Sequence, residues 1–103
     1  MDVVEKSMEI IAYAGDGKSY AMSSIQQVRA GKYEEAQESI KKADESLVKA
    51  HNAHSDLLFY DAEHQDLQIT LLLVHAADHL TGADTIKELA EEMIHLYKEM
   101  RNV

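Results

Sequence analysis

Not one proline interrupts this chain of 103 residues, and glycine occurs only four times. Strand-rich folds turn often, and their turns draw on those two residues. A chain this poor in both is expected to fold as a few long helices. The spacing of its apolar residues agrees. Val4, Met8, Ile11, Gly15, Met22 and Ile25 recur at intervals of three, four or seven, as one helix face does, and predict a first helix over residues 2–29. Gly15 and Gly17 weaken its middle, so a kink is expected there. Gly31, in Ala30-Gly31-Lys32, is placed to end the helix with positive φ.

A second helix is predicted from Tyr33 onward. Tyr33, Ala36, Ile40, Ala43, Leu47, Ala50, His54 and Leu57 step by three and four without a break, while Glu34, Glu35, Lys41, Lys42, Asp44 and Glu45 make a charged outer face. The apolar period lapses across residues 59–66, which reads as a second turn. A third helix follows over residues 67–100, with Leu72, Ala76, His79, Ala83, Ile86, Ala90, Met93, Tyr97 and Met100 in register. The expected fold is all-α: one domain over residues 1–103, an antiparallel up-down-up three-helix bundle. Its apolar stripes are wider than three helices can bury, so a homo-oligomer is expected as well.

Composition removes several functions. The formal net charge is −9, which opposes binding to nucleic acid; an acidic surface suits a basic protein partner or simple solubility. There is no cysteine, hence no disulfide or thiolate chemistry. No apolar run approaches the roughly 20 residues that span a bilayer. The start, Met1-Asp2-Val3-Val4-Glu5, lacks the marks of a signal peptide, and a cytoplasmic location is expected.

The chemistry concentrates in Leu71-Leu72-Leu73-Val74-His75-Ala76-Ala77-Asp78-His79-Leu80. Offsets of three and four put His75, Asp78 and His79 on one helix face, within the most apolar stretch of the chain. Three readings compete. The histidines can be core residues satisfied by Asp78 or the backbone. They can be metal ligands, since i, i+4 is a helical zinc spacing, although Ala76 stands where a zinc hydrolase has glutamate. Or His75 can be a nucleophile whose neutral imidazole attacks phosphorus, with His79 or Asp78 fixing its tautomer. Other motifs are weaker. Gly15-Asp16-Gly17-Lys18-Ser19 ends like a phosphate-binding loop but has Ala12 in place of its first glycine and sits in a predicted helix. His51 and His54 are three apart; His51 is expected to be exposed and His54 to pack at the bundle edge. Residues 31–36 resemble a tetratricopeptide turn, but no second copy occurs.

The segment at residues 71–80 resembles the active-site pattern L-V-L-V-H-A-Q-D-H-L-M-T of the lactose/cellobiose IIA family of sugar phosphotransferase systems. Ile10-Ile11-Ala12-Tyr13-Ala14-Gly15-Asp16 is similar to that family's first helix, Ala30-Gly31-Lys32-Tyr33-Glu34-Glu35-Ala36 to its first turn, and Glu91–Lys98 to its closing helix. The resemblance implies a homotrimer of three-helix bundles. It implies that His75 takes a phosphoryl group from phospho-HPr, with the tele nitrogen expected although the residues leave both open. The group then passes to a cysteine of the IIB subunit, which phosphorylates a β-linked disaccharide of the lactose, cellobiose or chitobiose class as the membrane IIC subunit imports it. His79 is the expected supporting neighbour. Asp78 is implied to meet its symmetry mates on the trimer axis around a divalent cation, Mg2+ being the expected ion, one per trimer; no nucleotide is expected. The chain departs from the pattern where Ala77 replaces Gln, Thr81-Gly82 replaces Met-Thr, and Gly17-Lys18 replaces Ala-Arg.

Overall fold

The computed structural model describes residues 1–101 and contains three helices: α1 (Val3–Arg29), α2 (Tyr33–His64) and α3 (Leu71–Arg101). They form an up-down-up rod with principal extents of 54 × 18 × 18 Å.

Each helix end has a local cause. The Asp2 carboxylate accepts the Glu5 backbone N–H at 3.0 Å and caps α1. At the other end Gly31 takes φ 79°, its N–H donates to Val28, and Lys32 N–H donates to Gln27. That is the paired hydrogen bonding of a Schellman stop. The Arg101 guanidinium reaches the same place from α3, donating to the Arg29 carbonyl at 3.0 Å and so serving a carbonyl left over where α1 ends. Thr70 caps α3: its hydroxyl accepts the Leu73 N–H at 3.2 Å and its carbonyl accepts that of Val74.

The second turn lies later than the sequence suggests. Residues 59–64 are helical, α2 ends at Gln65 with φ 56°, and α3 begins at Leu71 instead of residue 67. Apolar periodicity reports burial. Past Leu57 the last turns of α2 have nothing to pack against on one side: Leu58 and Phe59 are exposed while the backbone stays helical.

Helix α1 is the central element, packed against both others, which touch each other far less. Its buried face is Ser7, Ile10, Ala14, Gly17, Ala21, Ser24 and Val28. Small residues let the neighbouring backbones come close. A Cβ on Gly17 would stand 2.8 Å from the Leu47 side chain, so glycine is what admits Leu47 here. Helix α1 also runs unbroken through Gly15 and Gly17, where a kink was expected. The stripe read from its sequence turns the other way: Val4, Met8 and Met22 are exposed and Ile11, Gly15 and Ile25 half-buried. Helix α1 thus has two apolar faces, and the bulkier one points outward. The seam of α2 lies inside as expected, from Ala36 through Leu57. On α3, Ala76, Leu80, Ala83, Ala90 and Ile94 are buried, whereas His79, Met93 and Met100 of the expected seam are exposed. Where α2 meets α3, polar pairs carry the contact: His51 with Asp84 at 2.8 Å and Lys87 with Asp44 at 2.6 Å.

Candidate functional site

Thr70 sets the start of α3, which puts His75 in the second turn of the helix and His79 one turn further on. Ala76 and Leu80 face the core and hold this stretch against α1, so the histidines are carried on a rigid element. Both histidines are exposed. The core-histidine reading is therefore wrong, and His75 is open to a partner.

The two rings meet edge to face, with centroids 4.4 Å apart, an interplanar angle of 70° and a distance of 3.0 Å between the Nε2 atoms. Two neutral imidazoles in this arrangement share one proton: one Nε2 donates and the other accepts through its lone pair. When His79 donates, the lone pair of His75 Nε2 is defined and its N–H is at Nδ1. That lone pair is engaged at rest and becomes nucleophilic when the donor beside it lets go. Leu71 and Leu72 flank His75 on the side of the helix start, and Leu71 is 85% exposed.

Asp78 lies on the outward face of α3 and is exposed, but it is outside the histidine hydrogen bond. The outward stripe reads Leu71, His75, Asp78, Gly82, Leu89, Leu96 and Met100, at steps of three, four or seven. Asp78 therefore lies within an exposed apolar stripe that no element among the described residues covers, and His75 lies at its edge, on the side of His79.

The divalent cation expected on Asp78 is not supported. Among the described residues no group of three or more His, Asp or Glu side chains is placed to hold a metal ion. The physical reason is the donor set. Mg2+ needs several oxygens in a tight octahedron, and here one lone carboxylate stands beside two imidazoles that engage each other. The same absence removes the single-chain zinc reading. The weaker motifs also resolve: residues 15–19 lie inside α1, and His51 is exposed and pairs with Asp84 while His54 is half-buried.

Sequence reasoning missed the surroundings of the site. Phe59 (73% exposed) and Ile69 (74%) present large apolar side chains at the same end of the bundle. Reading residues 59–66 as a loop hid Phe59, and placing Ile69 inside the third helix hid its place in the linking segment. The cap at Thr70 was legible in principle, since threonine directly before an apolar run is a helix-start signal.

Comparison with known proteins identifies close likenesses. The family described as PTS system, Lactose/Cellobiose specific IIA subunit matches residues 5–98. The lichenan-specific phosphotransferase enzyme IIA component of Bacillus subtilis strain 168 is 40% identical over 92 residues, covering 89% of this chain and 84% of that protein. The crystal structure of the PTS cellobiose-specific enzyme IIA from Bacillus anthracis superposes with a TM-score of 0.94 at 36% identity, over 99% of this chain and 94% of that one. The IIA(chitobiose) structure solved in complex with HPr from the Escherichia coli N,N'-diacetylchitobiose branch gives 0.85 at 27% identity, over 98% of both chains.

Proposed function

This chain belongs to the lactose/cellobiose-specific IIA family of the sugar phosphotransferase system, and on that premise we propose that His75 is the residue that carries the phosphoryl group. The protein is a phosphoryl carrier: it takes phosphate from HPr and hands it to the IIB subunit for uptake of a β-linked sugar, with the membrane IIC subunit engaged indirectly. The observation that carries the assignment to His75 is an exposed imidazole whose Nε2 lies 3.0 Å from that of His79.

Loading proceeds by in-line displacement. The lone pair of His75 Nε2 forms a bond to phosphorus as the donor's bond to phosphorus breaks, its electron pair staying on the donor atom. Transfer onward is the reverse at the other partner: the N–P pair returns to His75 as the acceptor's nucleophile bonds to phosphorus. His79 is the positioning neighbour. Its Nε2–H bonds to the lone pair of His75 in the resting state, which fixes the His75 proton at Nδ1; that bond breaks as the lone pair turns to phosphorus, and the freed N–H then stands beside a phosphoryl oxygen whose negative charge it can meet. No helix among the described residues is long and apolar enough to cross a membrane. Cytoplasmic residence goes with exchange between HPr and IIB.

A homotrimer is part of the proposal. Support comes from two exposed apolar stripes, Val4, Met8 and Met22 on α1 and Leu89, Met93, Leu96 and Met100 on α3, on a chain of net charge −9. Like-charged copies associate through faces that carry little charge. Asp78 stands on the α3 stripe, so association along it places this carboxylate at the contact.

Incubation with phosphoenolpyruvate, Enzyme I and HPr tests the assignment. The expected result is an acid-labile mass gain of one phosphoryl group, lost in His75→Ala. Retention of the label in that variant would move the site elsewhere.

A further inference from the structure

The His75 ring finds its hydrogen-bond partner on its own helix. Among the described residues it bonds to His79 and to nothing else. The turn that leads into it is thinly anchored. Of the four residues between Thr70 and His75, Leu73 packs against the core, whereas Leu71 and Val74 are exposed. The first fully buried residue of α3 is Ala76, one position past the histidine. Residues 66–70 have no regular structure and α2 has already ended at Gln65, so no preceding turn of helix supports the start of α3.

What closes this first turn is Thr70. Its hydroxyl oxygen accepts the Leu73 N–H at 3.2 Å, and its carbonyl accepts the Val74 N–H at 3.1 Å. Leu67 and Leu73 lie against the core on either side of it and fix where the cap sits. The next rung belongs to His75 itself, whose N–H the helical repeat directs at the Leu71 carbonyl. Helix ends open from the terminus inward, and a turn with few buried contacts opens first. When the Thr70 turn opens, Leu71 leaves the helix, the His75 N–H loses its acceptor, and the backbone that carries the imidazole is free to rotate. The 3.0 Å contact between the two Nε2 atoms needs residues 75 and 79 stacked one turn apart, and it goes with the turn.

We infer that Thr70 is a positioning residue for phosphoryl transfer: its hydroxyl cap keeps the first turn of α3 closed and so holds His75 in register with His79. The inference rests on His75 being the carrier. Its test uses the full chain as wild type, Thr70→Val, Thr70→Ser, and Thr70→Val combined with His79→Leu. Valine keeps the shape of threonine and removes the acceptor, whereas serine keeps the acceptor. Loading from phospho-HPr and onward transfer to IIB are each followed against partner concentration. In Thr70→Val the saturated rates of both steps fall together by about threefold or more, with the fraction of molecules whose turn is closed, while KM for either partner stays within about twofold. Thr70→Ser returns to within about twofold of the wild type. In the His79→Leu background the valine substitution adds little, because the register it protects no longer has a partner. Unchanged saturated rates in Thr70→Val, no recovery with serine, or an equal loss in the His79→Leu background each overturn the inference and leave the carrier assignment standing. So does a wild-type Leu73 amide that exchanges with solvent as fast as a free peptide, a measurement that needs no variant. A wild type that takes no phosphate on His75 overturns both.

Discussion

His75 and His79 meet nitrogen to nitrogen: their Nε2 atoms lie 3.0 Å apart on consecutive turns of α3, and both rings are exposed. Such a pair holds one proton between two lone pairs. If the proton of His79 orients the nucleophile and later meets the phosphoryl oxygen, its value is that of a hydrogen bond to a charged group. His79→Leu is expected to slow loading by about ten- to a hundredfold, the range such hydrogen bonds cover. His79→Gln keeps an N–H donor near the same place and should recover much of that loss. Rapid-quench measurement of phosphoryl transfer from phospho-HPr checks both, and equal rates in the two variants would contradict a donor role.

Gly17 is a packing requirement. A Cβ there would lie 2.8 Å from Cδ2 and Cγ of Leu47, which is 5% exposed and has little room to withdraw. Overpacking of this kind costs about 1–3 kcal/mol, against which alanine's helix propensity returns about 1 kcal/mol. Gly17→Ala is expected to be destabilising, with the urea midpoint lowered and the slope unchanged, measured at fixed protein concentration.

That glycine also shows what the sequence made legible. The seam of α2 could be read because its core residues include Ile40, Leu47 and Leu57, large enough to stand out from their neighbours. The core face of α1 could not, because Ser7, Ala14, Gly17, Ala21 and Ser24 are buried for their smallness, and a search for hydrophobicity finds the bulkier outward stripe instead. At the site, helical spacing placed His75 and His79 on one face, and the structure brings them into contact. Their exposure did not follow from the pattern, since the Leu71–Val74 run reads as core while Leu71 and Val74 project into solvent. The segment leading into Thr70 depends on the true end of α2, which lapsed periodicity concealed.

Alkaline pH should loosen the bundle. Lys87 donates to Asp44 and is paired with Glu91, and these bonds, that to Asp44 foremost, hold its ammonium above the ordinary 10.5. Its Asp44 partner is on α2, so the pair clips α3 to α2. A cation whose pKa is raised by folding contributes fully below its unfolded value and loses that contribution as pH climbs through the folded one. Lys6, bonded to Asp56 of α2, and Tyr60, desolvated and beside Asp66, are raised too and act in the same direction. Denaturation midpoints should therefore fall above about pH 10.5, and Lys87→Met should start lower at neutral pH and fall less steeply. Parallel profiles for the variant and wild type would remove the clip from the account.

Asp78 offers the most direct test of how copies associate. It is exposed on the α3 stripe that includes Leu71, Leu89, Leu96 and Met100, yet it carries a charge that an apolar contact does not welcome. If the stripe is the contact between copies, symmetry brings several such carboxylates together, and like charges at close range oppose assembly. Leucine at this position removes the repulsion and extends the apolar stripe without touching the core, because the side chain points outward. Asp78→Leu is therefore expected to fold and to assemble more tightly, with trimer persisting at roughly tenfold lower protein concentration or below, equivalent to about 1.4 kcal/mol. Sedimentation velocity across a dilution series reads this directly. An unchanged association constant would mean that Asp78 faces solvent in the assembly and that the copies meet through another surface, with α1 and its outward Val4, Met8 and Met22 the next place to probe.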